Sequence, residues 1–287
     1  MDWLSTLAGI VLVLLGLAEV FRTLLHPTGR GRFSTLFLRL VWSVARLFGG
    51  WGRSFAGPLG AVAVILFWAA LQVFGWALIY LPHIPQGFTS SDGVSASMYG
   101  QFYEAVYFSM ISLSTLGLGD LTPTDAWVRI LTPVQALVGF GLLTAAVSWF
   151  MQLYPALGRR RALATQLSTL DGSGFASSMR ANPDGSARVL DTLSSALAQV
   201  TVDLVQNQAS YFFSDESRSA SLPVMLPSGL RLARIAADSR KKALTSSGRS
   251  LEVAIDDFAD TLRRRFAIEA TGTDAVLREY SRTHSPR

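Results

Sequence analysis

Three long runs of apolar residues constrain this chain more than any other feature of its sequence. They cover Trp3 to Leu25, Leu59 to Leu81 and Trp127 to Leu153. A helix needs about 20 apolar residues to cross the hydrocarbon core of a bilayer, and each run is long enough. From Arg159 onward, polar residues are interleaved with apolar ones at helical spacing. The sequence therefore predicts an all-α protein with a membrane-embedded first half and a small helical soluble domain.

The placement of the arginines predicts the orientation in the membrane. One cluster follows the third run at Arg159 to Arg161, and no Lys or Arg occurs in residues 54–128. The other cluster lies around the end of the first run and before the second: Arg22, Arg30, Arg32, Arg39, Arg46 and Arg53. Because basic segments stay on the cytoplasmic side, we expect a multi-pass protein of the cell (inner) membrane. Its N-terminus is expected outside and its C-terminus in the cytoplasm.

The segment between the first two runs predicts a helix in the membrane surface. Residues 33–48 are apolar but carry Arg39 and Arg46, and a charge in the middle of a membrane is costly. The alternative is a further span. Gly49-Gly50-Trp51-Gly52 is expected to break this helix before Pro58 opens the second span. Glu19 and Arg22 are expected to pair near the inner end of the first helix.

We accordingly predict four parts along the chain. Residues 1–27 form an N-terminal transmembrane helix, retained rather than cleaved because its apolar stretch is too long for a signal peptide. Residues 28–57 form the basic interfacial helix and a linker. Residues 58–155 form the central membrane domain, and residues 156–287 form the helical cytoplasmic domain.

A short apolar segment lies between the second and third runs. Gln101 to Ser112 is too short to cross a membrane, which is typical of a helix that enters the membrane and turns back. The next residues are Thr115-Leu116-Gly117-Leu118-Gly119-Asp120. Carbonyls of Thr115 to Leu118 that all point at one axis can replace the hydration shell of a cation. Gly117 and Gly119 accept positive φ, so alternate peptides can turn the same way.

The stretch from Phe102 to Met151 resembles the pore module of two-transmembrane potassium channels with one pore loop. That family has an aromatic-rich pore helix, the pattern T-x-G-x-G-D, a proline and an inner helix with a central glycine. The corresponding residues here are Tyr107 and Phe108, Thr115 to Asp120, Pro123 and Gly139. The resemblance is nearest to bacterial channels grouped with the two-pore-domain type. It implies passive conduction of K⁺ through residues 115–120, which we call the filter segment.

The resemblance also implies an assembly and a pore lining. Each chain supplies one pore loop and a ring of carbonyls needs four, so a homotetramer is expected, with permeant K⁺ and no cofactor. Gly139 is a candidate bending point of the inner helix, and helix packing through small residues is the alternative. The candidate lining residues are Phe140, Leu143, Val147 and Ser148. The aromatic residues expected at the membrane surfaces are Trp127, Trp149, Phe150 and Tyr154.

Three positions depart from the family pattern. Leu118 stands where Tyr or Phe is usual, Ile111 where several relatives have Glu, and Gln135 where an acidic residue is frequent. In relatives the filter Tyr hydroxyl bonds to a pore-helix aromatic, but Leu118 has no hydroxyl and Phe108 has no donor. We therefore expect an apolar support around the filter segment, held by packing alone. The degree of selectivity for potassium over sodium is left open.

The soluble half carries two apolar stripes at helical spacing. The first comprises Leu190, Leu193, Leu197, Val200 and Leu204. The second comprises Leu251, Ile255, Phe258, Leu262 and Phe266. A third helix is expected over Leu230 to Leu244, with Ser246-Ser247-Gly248 as a break. The stripes predict either the core of the domain or a seam between tetramer subunits.

Several classes of site are not expected. Asp171-Gly172-Ser173-Gly174 lacks the third glycine and the preceding strand of a nucleotide-binding fingerprint. His284 is alone near the terminus, so no catalytic group has a supporting base and the chain is not expected to be an enzyme. With no cysteine and three separated histidines, a metal site is not expected either. The charge of +5 is explained by arginines flanking the membrane runs rather than by nucleic acid.

The leading functional prediction is a tetrameric potassium-selective channel. A cation channel that discriminates poorly between sodium and potassium is the first alternative, because of Leu118. A membrane sensor or scaffold without conduction is the second. The expected partners are membrane lipid and further copies of the chain, and the sequence does not identify a cytoplasmic regulator or a gating stimulus.

Overall fold

The computed structural model describes residues 2–24, 31–47, 49–91 and 100–285. Within them the first helices are α1 (Asp2–Leu24), α2 (Arg32–Leu47), α3 (Gly49–Tyr80) and α4 (Gln101–Leu113). Helix α5 (Ala126–Gly172) follows with 47 residues. The later helices are α6 (Phe175–Ser178), α7 (Pro183–Gln206), α8 (Leu222–Ala237), α9 (Lys242–Phe266) and α10 (Thr273–His284). Short 3₁₀ helices lie at Leu81–His83, Gln208–Phe212 and Arg218–Ala220.

Three of these helices are long and apolar enough to cross a membrane. They cover Trp3–Leu24, Phe55–His83 and Ala126–Gly172, in agreement with the three predicted runs. Helix α4 occupies the predicted re-entrant segment almost residue for residue. The prediction of an all-α membrane protein is confirmed. The shorter apolar helix Phe33–Ala45 lies at the predicted interfacial segment, and its depth in a membrane stays a prediction.

Two short strands were not predicted. Strand β1 (Phe88–Ser90) and strand β2 (Leu121–Pro123) pair antiparallel, with Thr89 opposite Thr122. Strand β2 begins directly after Asp120, so the pairing holds the chain where it leaves the filter segment.

The chain packs as two compact units. The first contains the described residues of Met1–Phe37 and Ala61–Met151. Its core gathers buried residues of α3, β1, α4 and α5, among them Tyr80, Phe88 and Phe108. The second contains the described residues of Leu38–Gly60 and Gln152–Arg287. Because these units reflect packing alone, the predicted boundaries after residues 27, 57 and 155 stay a prediction.

The second unit is a bundle in which α7, α8 and α10 pack against α9. The first predicted stripe is fully buried along α7, and the second is buried along α9 except for the half-buried Phe266. Phe266 stacks on Tyr211 with ring centroids 3.9 Å apart. Both stripes therefore form the core of a single chain, and the alternative of a free seam between subunits is wrong.

Helix α2 ends at Leu47, two residues before the first predicted break at glycine, whereas the second predicted break is wrong. Helix α3 begins at Gly49, so Gly49 to Gly52 lie inside it. The expected helix over Leu230 to Leu244 ends at Ala237, and Gly248 lies within α9. A Cβ on Gly248 would lie 2.5 Å from the Ala237 amide nitrogen. This glycine allows two helix backbones to approach, a tertiary gain that outweighs its low helix propensity.

Two further expectations are wrong, because the side chains contact other residues than expected. Glu19 does not pair with Arg22 among the described residues; instead it accepts hydrogen bonds from the amide and hydroxyl of Ser34, at 2.8 and 2.9 Å. Donors at the start of α2 satisfy this carboxylate without a cation, and the start of a helix favours a negative charge. Trp149 is buried against Trp68, with centroids 5.4 Å apart, so it is a core residue rather than a surface aromatic.

Candidate functional site

The backbone of the filter segment alternates in conformation. Thr115, Gly117 and Gly119 have positive φ angles of 59°, 52° and 78°. A Cβ added to either glycine would meet nothing within 4 Å in the chain, so conformation rather than space requires glycine here. Thr115 adopts the same region although it is β-branched, which is a strained conformation that proteins keep at functional sites. Positive φ therefore recurs at every second residue of the filter segment, and the direction of its carbonyls stays a prediction.

Hydrogen bonds tie this backbone to the end of α4. The amide of Thr115 donates to Ser112 O at 3.1 Å, and the amides of Leu116 and Gly117 donate to Ile111 O at 2.9 and 3.3 Å. These bonds satisfy carbonyls that a helix end leaves without intrahelical partners. In the described part of the chain, no backbone N–H donates to the carbonyl oxygens of residues 115–118. Their binding of a cation stays a prediction.

The outer end of the filter segment is held by Asp120. The Tyr107 hydroxyl donates to one of its carboxylate oxygens at 2.5 Å, and the Leu121 amide donates to the other at 3.1 Å. The Asp120 carbonyl accepts from the amide of Ser91 at 2.9 Å. The expectation of a support held by packing alone is therefore wrong, because Tyr107 supplies a polar tie. Leu118 itself is exposed in the single chain.

A buried polar network fixes α4 between its neighbours. The Tyr80 hydroxyl donates to Gln135 Oε1 at 2.8 Å, and Gln135 Nε2 donates to Ser109 O and Oγ at 2.9 and 2.8 Å. The Ser109 hydroxyl in turn donates to Val73 O at 2.8 Å. Tyr80, Gln135 and Ser109 are completely buried. These hydrogen bonds join α3, α4 and α5, so they set the position from which the filter segment starts.

Phe108 provides apolar contacts of α4. Its ring meets Tyr80 and Phe88 edge to face, with centroids 5.1 and 4.8 Å apart. Phe88 belongs to β1, so the aromatic cluster connects the strand pair to α4. Such pairs add to the free energy of burial because ring edges and faces carry opposite partial charges.

The structure gives Gly139 a packing role. A Cβ at this position would lie 1.9 Å from the carbonyl oxygen of Leu113, the last residue of α4. Glycine therefore lets the inner helix α5 approach the start of the filter segment, and bending at Gly139 stays a prediction. The candidate lining residues Phe140, Leu143, Val147 and Ser148 are exposed along α5.

The arginines after the third run have partners within the second unit. Arg159 binds Asp203 with two bonds of 2.6 and 2.8 Å. Arg160 and Arg161 both bind Asp215, at 3.0 and 2.6 Å. Arg160 also donates to the carbonyls of Ser210 and Phe213, at 2.6 and 2.7 Å. These arginines therefore build the second unit, a role that their position after a membrane run did not indicate.

His284 has structural neighbours. It is buried, its Nε2 lies 2.9 Å from the carbonyl oxygen of Tyr211, and its ring stacks on Trp42 at 5.0 Å. The prediction that His284 is alone is wrong, because contacts between residues far apart in the chain leave no local pattern.

The roles of Tyr80, Ser109 and Gln135 were not predicted from the sequence. Gln135 was noted only as a departure from the family pattern. A polar residue inside an apolar run signals a need for buried partners, since an unsatisfied polar group in a membrane is costly. That signal identifies the residue, while the identity of its partners depends on the packing of three helices.

Comparisons with known proteins match the region of the chain that contains the filter segment. Residues 63–154 match the family model described as ion channel. The uncharacterised membrane protein YdjJ of Bacillus subtilis (strain 168) is 27% identical over 174 residues, covering 58% of this chain and 49% of that protein. Two pore potassium channel c of Oryza sativa subsp. japonica is 29% identical over 97 residues, covering 32% and 20%. Two-pore potassium channel 5 of Arabidopsis thaliana is 33% identical over 58 residues, covering 19% and 14%.

The chain spans less than half the length of each of these relatives. No solved structure matches it. The family match nevertheless includes the filter segment, its supports and parts of the membrane helices on both sides. We call residues 63–154, which match the ion-channel family model, the ion-channel module.

Proposed function

We propose that the chain is one subunit of a homotetrameric, potassium-selective channel. The observation that carries this proposal is the filter segment, in which positive φ alternates at Thr115, Gly117 and Gly119. Four backbone oxygens per chain have no backbone donor in the described residues. Rings of such oxygens replace the hydration shell of K⁺ in channels, so residues 115–118 are the proposed ligands. The names of the two plant relatives support the same ion.

The tetramer is inferred from what a single chain lacks. One chain supplies one filter segment, whereas an ion path needs carbonyls on all sides. Leu116 and Leu118 are largely exposed in the single chain although both are apolar. Phe140, Leu143 and Val147 are also exposed and lie on one face of α5. Three further copies around a four-fold axis would cover the filter side chains and turn these α5 residues to a common pore.

The alternative within the same class is a channel that discriminates poorly between sodium and potassium. Leu118 favours it, since its side chain offers no hydrogen bond to hold the width of the filter. The Tyr107 to Asp120 bond favours selectivity, because it ties the outer end of the filter to α4. A scaffold without conduction would have no need of the strained Thr115 or of the free carbonyls.

The test is the reversal potential of purified protein in planar bilayers. With potassium on one side and sodium on the other, a selective tetramer is expected to approach the potassium equilibrium potential. Gly119→Ala is expected to lose this selectivity, since alanine resists a φ of 78°. Gly158→Ala is the matched control, because a Cβ there meets nothing within 4 Å. A reversal potential near zero favours the poorly selective channel, and absence of current favours the scaffold.

The proposed location is the cell (inner) membrane with the N-terminus outside and the C-terminus in the cytoplasm. The distribution of arginines supports it. Because the chain has no cysteine, Asp2→Cys and Ser285→Cys each introduce one thiol. An impermeant thiol reagent is expected to label the first variant in intact cells and not the second. Labelling of Ser285→Cys under these conditions would reverse the orientation.

A further inference from the structure

Helix α2 divides its residues among three faces. One face is buried and consists of Ser34, Leu38, Trp42 and Ala45. A second face is apolar yet exposed, with Phe33, Leu36, Leu40 and Val44 between 47% and 60% accessible. The third face carries the exposed Arg39 and Ser43. The helix therefore presents an apolar stripe beside a polar one, with its remaining side turned into the protein.

The sequence places two further arginines in helical register with Arg39. In the sequence, Arg32 and Arg46 stand seven residues before and after Arg39. Seven residues are close to two helical turns, so the three positions share one side of α2. No Asp or Glu occurs in residues 20–91, which include six arginines. Among the described residues Arg39 makes no ion pair, in contrast to Arg159, Arg160 and Arg161.

The buried face holds the helix in place. At its start, Ser34 binds Glu19 through both its amide and its hydroxyl. Farther along, Trp42 stacks on His284 and meets Phe212 edge to face, with centroids 5.0 and 6.1 Å apart. The start of α2 is therefore held within the first unit, and its later turns are held within the second.

We propose that α2 is a binding surface for anionic phospholipid. The stripe of Phe33, Leu36, Leu40 and Val44 inserts among acyl chains, and the arginine face binds the negative headgroups of the same leaflet. Interfacial helices bind membranes by this combination of an apolar face and a basic one. A second copy of α2 is disfavoured as the occupant, because it would bring another arginine face close to the first. The proposal rests on the membrane location of the chain and not on ion selectivity.

The depth of the two faces can be measured on the cysteine-free chain. Leu40→Cys, Ser43→Cys and the exposed Ser250→Cys of α9 each carry one spin label, in liposomes of phosphatidylcholine and phosphatidylglycerol. We expect the Leu40 label to collide mainly with oxygen and the Ser250 label with a water-soluble nickel complex. The Ser43 label should lie between them. Equal nickel access at Leu40 and Ser250 would overturn the proposal, as would a Leu40 label shielded from both reagents, which indicates a second copy.

The preference of α2 for negatively charged headgroups needs a separate test. Phosphatidylglycerol adducts of the detergent-solubilised full chain are counted by native mass spectrometry, with phosphatidylcholine as reference. Removing one arginine near a membrane surface weakens anionic binding by about fivefold, and we expect this for Arg39→Gln. Arg249→Gln is the matched control, an exposed arginine on α9.

Two results would contradict the proposed lipid surface in that experiment. One is an equal loss of phosphatidylglycerol binding in both variants, and the other is competition by inorganic phosphate at millimolar concentration, since free phosphate has no acyl chain. Neither experiment measures ion flux. A channel that fails the reversal-potential test can still pass both, so the two proposals are tested independently.

Discussion

Buried polar groups are held in different ways in the two units of this chain. In the ion-channel module the buried network consists of neutral groups, Tyr80, Gln135 and Ser109, that donate to one another and to backbone oxygens. In the second unit the corresponding buried centre is ionic, since Arg160 and Asp215 are both almost inaccessible and bind each other. A charge at membrane depth is costly, whereas a neutral group needs only its hydrogen bonds.

This difference predicts how much a substitution in each unit lowers the stability. Removing one member of a buried ion pair leaves a charge without its partner, which is the more expensive defect. Removing one member of a neutral network leaves hydrogen-bond donors or acceptors without partners, which costs less. Glu19 and Glu104 are exceptions in the first unit, since both are buried carboxylates, and Glu19 is held by Ser34 donors rather than by a cation. Substitutions in the two units should accordingly fall into a ranked order.

The largest effect is expected for Arg160→Met. Methionine keeps much of the side-chain volume but leaves the buried Asp215 with Arg161 as its remaining cationic partner. Breaking a buried pair in this way lowers the free energy of unfolding by about 3 to 5 kcal/mol. Thermal unfolding of the detergent-solubilised chain measures it. Arg161→Met is the control, because that side chain is half exposed.

The double variant Arg160→Met with Asp215→Leu sharpens the test of Arg160. Removing both charges should recover much of the lost stability, since no charge is then buried without a partner. If Arg161→Met proved as damaging as Arg160→Met, the burial of the pair would not be the reason for its importance.

The next effect is expected for Gln135→Leu. The substitution leaves the Tyr80 hydroxyl without its acceptor and Ser109 O without a donor, at a cost of about 1 to 3 kcal/mol per subunit. Gln135→Glu should also destabilise, because a carboxylate oxygen would face Ser109 O where Nε2 now donates. Melting temperature in detergent measures both, with the exposed Gln152→Leu on the same helix as control. A Gln135→Leu variant as stable as the control would contradict the importance of the neutral network.

A smaller effect on stability is expected for the hydrogen bond that ties α4 to the filter segment. Tyr107→Phe removes a hydrogen bond to a carboxylate, worth about 1.5 kcal/mol, and should lower the selectivity for potassium over sodium. Asp120→Asn and the double variant complete a cycle that isolates the coupling between the two side chains. Strictly additive changes in melting temperature and permeability ratio would show that Tyr107 and Asp120 act separately.

The Tyr107 bond also changes what Leu118→Tyr should do. The Tyr107 hydroxyl already donates to Asp120, so it is not a free partner for the new hydroxyl. Pairing with Phe108→Trp requires a larger ring among Tyr80 and Phe88, whose centroids are already 5.1 and 4.8 Å from Phe108. We therefore expect Leu118→Tyr alone to lower the melting temperature and the double variant to recover only part of it.

The features that the sequence predicted correctly are those with a local pattern. The three membrane helices follow from the length of apolar runs, and α4 follows from a run too short to span. Positive φ at Gly117 and Gly119 follows from the glycine spacing, whereas Thr115 shares their conformation without any such signal. The closely packed glycines were harder, because Gly139 and Gly248 are explained by backbones from other elements. A glycine marks the end of a helix at one position and allows two backbones to approach closely at another.

The smallest effect on stability is expected at an exposed ion pair of the second unit. Arg234 binds Asp274 through two bonds of 3.1 and 2.6 Å, and both side chains are about half exposed, at 48% and 49%. Water competes for such charges, so the pair contributes about 0.2 to 1 kcal/mol, far less than the buried Arg160 pair. Asp274→Asn should therefore lower the melting temperature only slightly at neutral pH.

The pH dependence of this last pair has a definite sign. The hydrogen bond from Arg234 lowers the pKa of Asp274 below its ordinary value. A carboxyl group whose pKa is lower in the folded state adds stability at neutral pH, and this stability is lost as the pH falls through the folded-state pKa. The difference in melting temperature between the wild type and Asp274→Asn should accordingly shrink from pH 7 to pH 3, and shrink in high salt at pH 7. A difference that grows on acidification would mean that Asp274 is stabilised in its protonated form, and that even the exposed charges of this unit are not held by their arginines.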